Sequence, residues 1–201
     1  MAPRFLWVSA FQIFVAGCFG VEKYGTADFY DHEIHSDREI KVIMPANAPY
    51  ISEQFRSDED KVHQGIDIWG KRGTLILASA PGRVIKSYSE PIYGNRVVID
   101  HGRSPEGDEL YTVHKHLDKR MVNVGDVVQR GQQIGTMGDT GALGVLVHLH
   151  FETMRLSKTK GEIYYDPHLV WMDGIGRVTC FDKNKRYPDT PFRTTYPVVC
   201  K

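Results

Sequence analysis

Two short stretches of the chain carry residue types that bind metal ions. In His63-Gln64-Gly65-Ile66-Asp67-Ile68-Trp69, His63 and Asp67 stand four residues apart. On an extended backbone Ile66 and Ile68 share one face and Asp67 takes the other, where His63 can join it. Alone, this spacing also describes a hydrogen-bonded turn. The second stretch is His148-Leu149-His150-Phe151-Glu152. Its period of two puts both imidazoles and Glu152 on one face and Leu149 and Phe151 on the opposite one. Two imidazoles and a carboxylate from separate segments form the donor set that holds zinc tetrahedrally with a fourth position open. An open position points to catalysis rather than structure: such an ion acidifies water and polarises a carbonyl, and needs neighbouring donors for the charge that develops. Histidines are available for that role, since one member of His148-Leu149-His150 is spare and Tyr111-Thr112-Val113-His114-Lys115-His116-Leu117 supplies two more.

These residues must be positioned by strands. Between Tyr50 and Met154 the sequence breaks into short β-branched runs bounded by Gly, Pro, Asn or Asp: Thr74–Ala78, Arg83–Tyr88, Arg96–Asp100, Leu110–Val113, Asp126–Val128, Gln132–Thr136 and Val145–Thr153. Without any amphipathic helical stretch, this pattern predicts an all-β domain, an antiparallel β-sandwich or barrel. A further run, Glu39–Met44, could form a strand in the lead-in. His101 closes one predicted strand and reads as a structural turn residue.

The chain has 201 residues, 25 Lys+Arg against 25 Asp+Glu, and 41% hydrophobic residues. The balanced charge excludes a nucleic-acid binder that works by neutralising phosphates, and the apolar content excludes disorder. Residues 1–17 resemble an export signal: Arg4, then an apolar run from Phe5 to Ala16, ending Val15-Ala16-Gly17-Cys18. The run is shorter than the ~20 residues a spanning helix needs. Small residues before Cys18 resemble a bacterial lipobox, which makes Cys18 the expected lipid attachment point; an ordinary signal that happens to end near a cysteine is the alternative. Residues 18–49, with His32 and His35, read as a polar tether and lead-in. Cys180 and Cys200 remain, and in an oxidising envelope a bridge between them would stabilise the end of the chain by roughly 3 kcal/mol in the chain-entropy model. Two free thiols are the alternative.

Five elements in order then resemble the lysostaphin-type, LytM-like zinc metallopeptidases of family M23. They are His63-x-Gly65-x-Asp67, His116-Leu117-Asp118, Val124 to Gly135, the Gly138-Asp139-Thr140-Gly141 turn, and His148-Leu149-His150-Phe151-Glu152. The resemblance covers residues 50–155 and implies a compact antiparallel β scaffold with one Zn²⁺ in a groove. It implies that His63, Asp67 and His150 bind the metal, and that His116 and His148 orient the attacking water and stabilise the oxyanion or leaving amine. Glu152 is then either a carboxylate that fixes a ligand histidine or a surface charge. The implied substrate is the stem or cross-link peptide of bacterial peptidoglycan, and the implied location the cell envelope, with the chain facing the periplasm from a lipid anchor in the membrane. The expected bond is the direct D-Ala to meso-diaminopimelate cross-link.

Two departures stand out. His114 occupies the family's usual Tyr position and reads as a spectator, or as a substitute for His116. Gly144-Val145-Leu146-Val147 replaces the family's small lead-in to the last histidines, which leaves the shape of the groove wall open. Residues 156–201 lie beyond the resemblance and are expected to form a small polar extension that pins the C-terminus or shapes one end of the groove. A silent member of the family that binds peptidoglycan or activates a separate amidase is the main alternative; such members have usually lost zinc ligands, and this chain keeps all three. The Val124–Gln132 hairpin also resembles lipoyl or biotinyl carriers, a poor reading for an exported chain rich in histidine.

Overall fold

The computed structural model describes residues 40–57 and 61–201; Cys18, His32 and His35 lie outside them. Ten strands follow in chain order: β1 (Ile51–Glu53), β2 (Ile66–Trp69), β3 (Leu75–Leu77), β4 (Gly82–Glu90), β5 (Gly94–Arg103), β6 (Glu109–Arg120), β7 (Val127–Val128), β8 (Gln133–Met137), β9 (His148–Ser157) and β10 (Gly161–Tyr165). All named strand pairs are antiparallel. The main path is β1-β2-β9-β6-β5-β4-β7, with β10 on β9 and β8 joining β3 to β6. The seven predicted runs overlap β3 to β9 in order, with β6 extending well past Leu110–Val113 and β9 starting only at His148. The Glu39–Met44 run is different: among its described residues only Ile43 pairs, in a bridge to Arg177.

β6 occupies the centre of the sheet, between β5 and β9, and residues Leu110 to Leu117 are all buried. A strand covered on both faces has no polar side, so its sequence shows little alternation. The two faces carry separate clusters. Val97, Ile99, Leu149 and Phe151 pack into the larger core with Ile66 and Ile68, while Val98, Val113, Tyr111 and Met154 form a smaller one. Along β9, His148, His150 and Glu152 share the parity of Met154. The histidine face therefore belongs to the smaller cluster's side of the sheet, and the large core anchors it from behind.

Residues 166–201 do more than expected of a polar extension. Trp171, Val178, Tyr196 and Val198 are buried in the larger core, with Trp171 stacked near Phe151 at 6.3 Å between ring centroids. The Tyr196 hydroxyl donates to the Pro49 carbonyl at 2.8 Å, and Ile76 bridges Val198. Cys180 and Cys200 are joined in a disulfide. The tail is thus built into the hydrophobic interior, at about 2–3 kcal/mol for each large side chain removed from water.

Candidate metal and catalytic site

β2 lies beside β9 with Asp67 opposite His150 and Trp69 opposite His148. This register puts the carboxylate against the imidazole it is expected to share a metal with. His63 reaches the same point from the segment preceding β2. Gly65 permits the approach: a Cβ there would meet the Phe151 carbonyl oxygen at 2.3 Å. His63 Nε2 lies 3.1 Å from His150 Nδ1 and 3.3 Å from Asp67 Oδ1, and His150 Nδ1 lies 2.8 Å from that same oxygen. Donors that each sit ~2.0–2.1 Å from a tetrahedral zinc are ~3.3 Å apart, so the spacing fits the ion.

The outer nitrogens decide the tautomers. His63 Nδ1–H donates to the Gln54 carbonyl at 2.8 Å, which leaves a lone pair on Nε2. His150 Nε2–H donates to Glu152 Oε1 at 2.9 Å, which leaves a lone pair on Nδ1. Two lone pairs and a carboxylate oxygen then converge with no hydrogen of their own between them, an arrangement that calls for a cation. The local field agrees. Burial opposes ionisation of Asp67, but the His150 and His63 rings against it outweigh burial and hold the carboxyl far below the usual range. Burial likewise opposes a positive His150, yet Asp67 and Glu152 raise its pKa.

Glu152 is fully buried, against the surface alternative, and Lys115 Nζ lies 2.5 Å from its Oε1. Burial pushes the Glu152 carboxyl up, and Lys115 with His150 more than reverses it, to about 2. Lys115 also sits 4.0 Å from the centroid of the Tyr93 ring. Sequence reasoning missed Lys115, Gln54 and the carbonyls that hold the other histidines. A lysine between His114 and His116, in line with Leu110, Tyr111, Val113 and Leu117, was the available signal for Lys115, because burial of that charge demands a partner.

His116 is turned into the cleft by its backbone. On β6 it follows Lys115, so regular alternation would send it to the opposite face. Its φ of 61° is the sole positive value at a non-glycine residue among those described. The ring then lies 4.7 Å from that of His148 and 6.3 Å from that of His150. His116 Nδ1–H donates to the Thr140 carbonyl at 2.8 Å, leaving Nε2 with a lone pair. Burial, with His148, His150 and Lys115 nearby, pushes its pKa down to about 4 despite that carbonyl. His148 Nδ1–H donates to the Leu146 carbonyl at 2.7 Å, and its Nε2 lies 3.7 Å from Asp67 Oδ1.

All these groups line one cleft of 360 Å³, with Glu53, Tyr93 and Leu143 among its walls. A neighbouring depression, sharing Asp67, Leu143 and His148, is edged by Tyr50, Trp69, Val145 and Leu146. The Gly144–Val147 departure thus forms an apolar rim, with Val145 81% exposed. His114 and His101 lie elsewhere. His114 is fully buried beside Phe151, and His101 bridges the Pro81 carbonyl and the Thr112 hydroxyl. No residue of the 166–201 tail lines the cleft.

The family model described as peptidase family M23 matches residues 61–166. The chain belongs to peptidase family M23. That match reaches 11 residues past the end expected at 155 and takes in β10, which pairs with β9 in full register. The M23 chain is 31% identical over 134 residues to peptidoglycan DD-endopeptidase ShyC of Vibrio cholerae, covering 63% of this chain and 30% of that protein. It is 35% identical over 106 residues to murein hydrolase activator NlpD of Escherichia coli, covering 52% and 26%. Among solved structures, a zinc-containing peptidase from Vibrio cholerae is 28% identical with a TM-score of 0.49, covering 63% of this chain and 39% of that one. The chain spans less than a third of the length of the two curated relatives.

Proposed function

We propose that this M23 protein is a zinc metallopeptidase that hydrolyses the peptide cross-links of bacterial peptidoglycan. One observation carries the reading: His63, Asp67 and His150 offer a complete donor set, and His116 and His148 present free Nε2 atoms in the same cleft. His63 Nε2, an Asp67 oxygen and His150 Nδ1 would hold a zinc ion, which would supply Lewis acidity for the scissile carbonyl and lower the pKa of water there. His116 is neutral at pH 7 and accepts the attacking water's proton at Nε2. It returns that proton to the amine as the C–N bond breaks. The Thr140 carbonyl keeps its ring in one tautomer throughout. His148, oriented by the Leu146 carbonyl, faces the same space and hydrogen-bonds the oxygen on which charge develops. The apolar rim of Trp69, Val145 and Leu146 gives the peptide a dry surface to lie against.

The name of the Vibrio relative, a DD-endopeptidase, supports the direct D-Ala to meso-diaminopimelate cross-link as the bond cut. Export behind residues 1–17 and lipidation of Cys18 would set the enzyme at a membrane facing the wall. A second reading, activation of a separate murein hydrolase without hydrolysis of its own, is favoured by the similarity to NlpD. Incubation of the purified protein with sacculi separates the two. Hydrolysis releases cross-link fragments from sacculi with the protein alone, and a chelator stops it. An activator releases nothing unless an amidase is added.

A further inference from the structure

A second cavity, of 420 Å³, shares no residue with the catalytic cleft. It lies at the other end of the β4–β5 ladder. Arg83 and His101 line it, whereas Glu90 and Gly94, at the opposite ends of the same strands, neighbour the His116 region. Seven residues of strand separate the two ends, about 23 Å. The outer wall comes from the tail, through Asp189, Phe192 and Arg193, a stretch enclosed by the Cys180–Cys200 bridge.

Three arginines, Arg83, Arg130 and Arg193, and one carboxylate, Asp189, line this cavity. Arg83 Nη1 donates to the Gly125 carbonyl at 2.8 Å, Arg193 Nη1 to the Phe192 carbonyl at 3.0 Å, and Arg130 Nη1 to the Ser79 carbonyl. Backbone carbonyls orient the three cations without neutralising them, and among the described residues none forms an ion pair within 4.0 Å. Arg130 Nε is buried with no hydrogen-bond partner. Each guanidinium retains N–H groups in a planar fork that suits a carboxylate. The His101 ring uses both nitrogens on the protein, and the Phe192 ring lies 5.1 Å from it, so this part of the wall is fixed and largely apolar.

We propose that this cavity is a second peptide-binding site, which takes the free carboxylate of a short peptide on Arg83, Arg130 and Arg193 and its free amine on Asp189. Asp189 is the one negative group of the lining, and the ammonium of a peptide can pair with it where a bare phosphate cannot. The volume lies in the usual range for small-ligand sites. That the peptide is an uncross-linked stem rests on the function proposed above; the site itself rests on the cavity. A stem held here would keep the enzyme on the wall while the cleft works on a cross-link.

The test uses the full chain with its disulfide intact and the tripeptide L-Ala-γ-D-Glu-meso-diaminopimelate as probe. Arginine Nε–Hε resonances are followed by NMR, assigned with Arg83→Gln and Arg193→Gln. The tripeptide is expected to shift the Arg83 and Arg193 signals saturably. Arg193→Gln should weaken this binding about tenfold, as for loss of a charged hydrogen bond, and Asp189→Asn should weaken it as well. Cleavage of a small cross-linked dimer should stay unchanged in both. Should Arg193→Gln fail to fold, Arg193→Lys retains the charge without the fork and is expected to lose affinity too. Unshifted arginine signals would overturn the proposal, as would inorganic phosphate shifting them as strongly as the tripeptide. Saturable arginine shifts in a protein that cuts no sacculi would leave this site standing and sink the catalytic reading instead.

Discussion

Lys115 Nζ and Glu152 Oε1 lie 2.5 Å apart in the interior, and the same oxygen receives the Nε2–H of His150 at 2.9 Å. The ion pair therefore holds a proposed metal ligand by its far side, and three adjacent groups depend on one another. Lys115→Met removes the cation beside Glu152 and leaves the buried carboxylate with only the His150 N–H, which should cost about 3–5 kcal/mol of stability. Zinc affinity should fall about 10–100-fold, the usual effect of losing an outer partner of a ligand histidine. The double variant Lys115→Met/Glu152→Leu should regain most of the stability without regaining the affinity. Urea denaturation and competition with a coloured chelator read the two effects separately.

At His116 the backbone conformation and the chemistry can be uncoupled. His116→Ala keeps the left-handed backbone and should bind zinc normally while losing turnover. His116→Gly should be equally inactive, yet about 1 kcal/mol more stable than the Ala variant, because glycine meets no Cβ penalty at φ 61°. Equal stabilities for the two would mean that the positive φ does not persist in solution.

How much could be read from the sequence differs between these two histidines. The shared face of His148, His150 and Glu152 followed from period two, and β9 obeys it because Leu149 and Phe151 are locked into the large core. The same rule applied to β6 would place His116 with His114, away from the cleft; only its resemblance to a family motif marked it. A single φ reverses the alternation, and propensity does not reveal it. The apolar part of the tail was hidden for another reason. Trp171, Tyr196 and Val198 stand singly among polar residues and prolines, so no periodicity advertises that they complete a core begun more than 100 residues earlier.

Gly65→Ala tests the approach of His63 to β9. The added methyl would collide with the Phe151 carbonyl, and relief requires β2 to move away from its partner. A loss of about 1–3 kcal/mol is expected, with zinc affinity reduced because Asp67 and His150 face each other across that same pairing. Calorimetric melting with and without added zinc gives both quantities.

Acid stability should depend on His114. Its ring is buried and neither nitrogen makes a hydrogen bond of normal geometry. Burial, offset only in part by the Val97 carbonyl, pushes its pKa down to about 3 from an ordinary 6.5. Between these values the unfolded chain binds the proton and the folded one does not. Stability from this group is therefore complete above pH 6.5 and drains away as the pH falls toward 3. His114→Phe should flatten that part of the stability curve measured by urea denaturation at successive pH values. An unchanged slope would show that the buried ring is not the group responsible.

The central claim is that His63, Asp67, His150, His116 and His148 form a working peptidase site, and product analysis of digested sacculi tests it most directly. Sacculi with direct D-Ala to meso-diaminopimelate cross-links, incubated with the zinc-loaded protein alone and analysed by mass spectrometry, should show cross-linked dimers converted to monomers with a new amine and carboxylate. The conversion should vanish with a chelator, with His150→Ala and with His148→Ala. Dimers that survive intact with a zinc-loaded, folded protein, or that disappear equally with His148→Ala, would contradict the account.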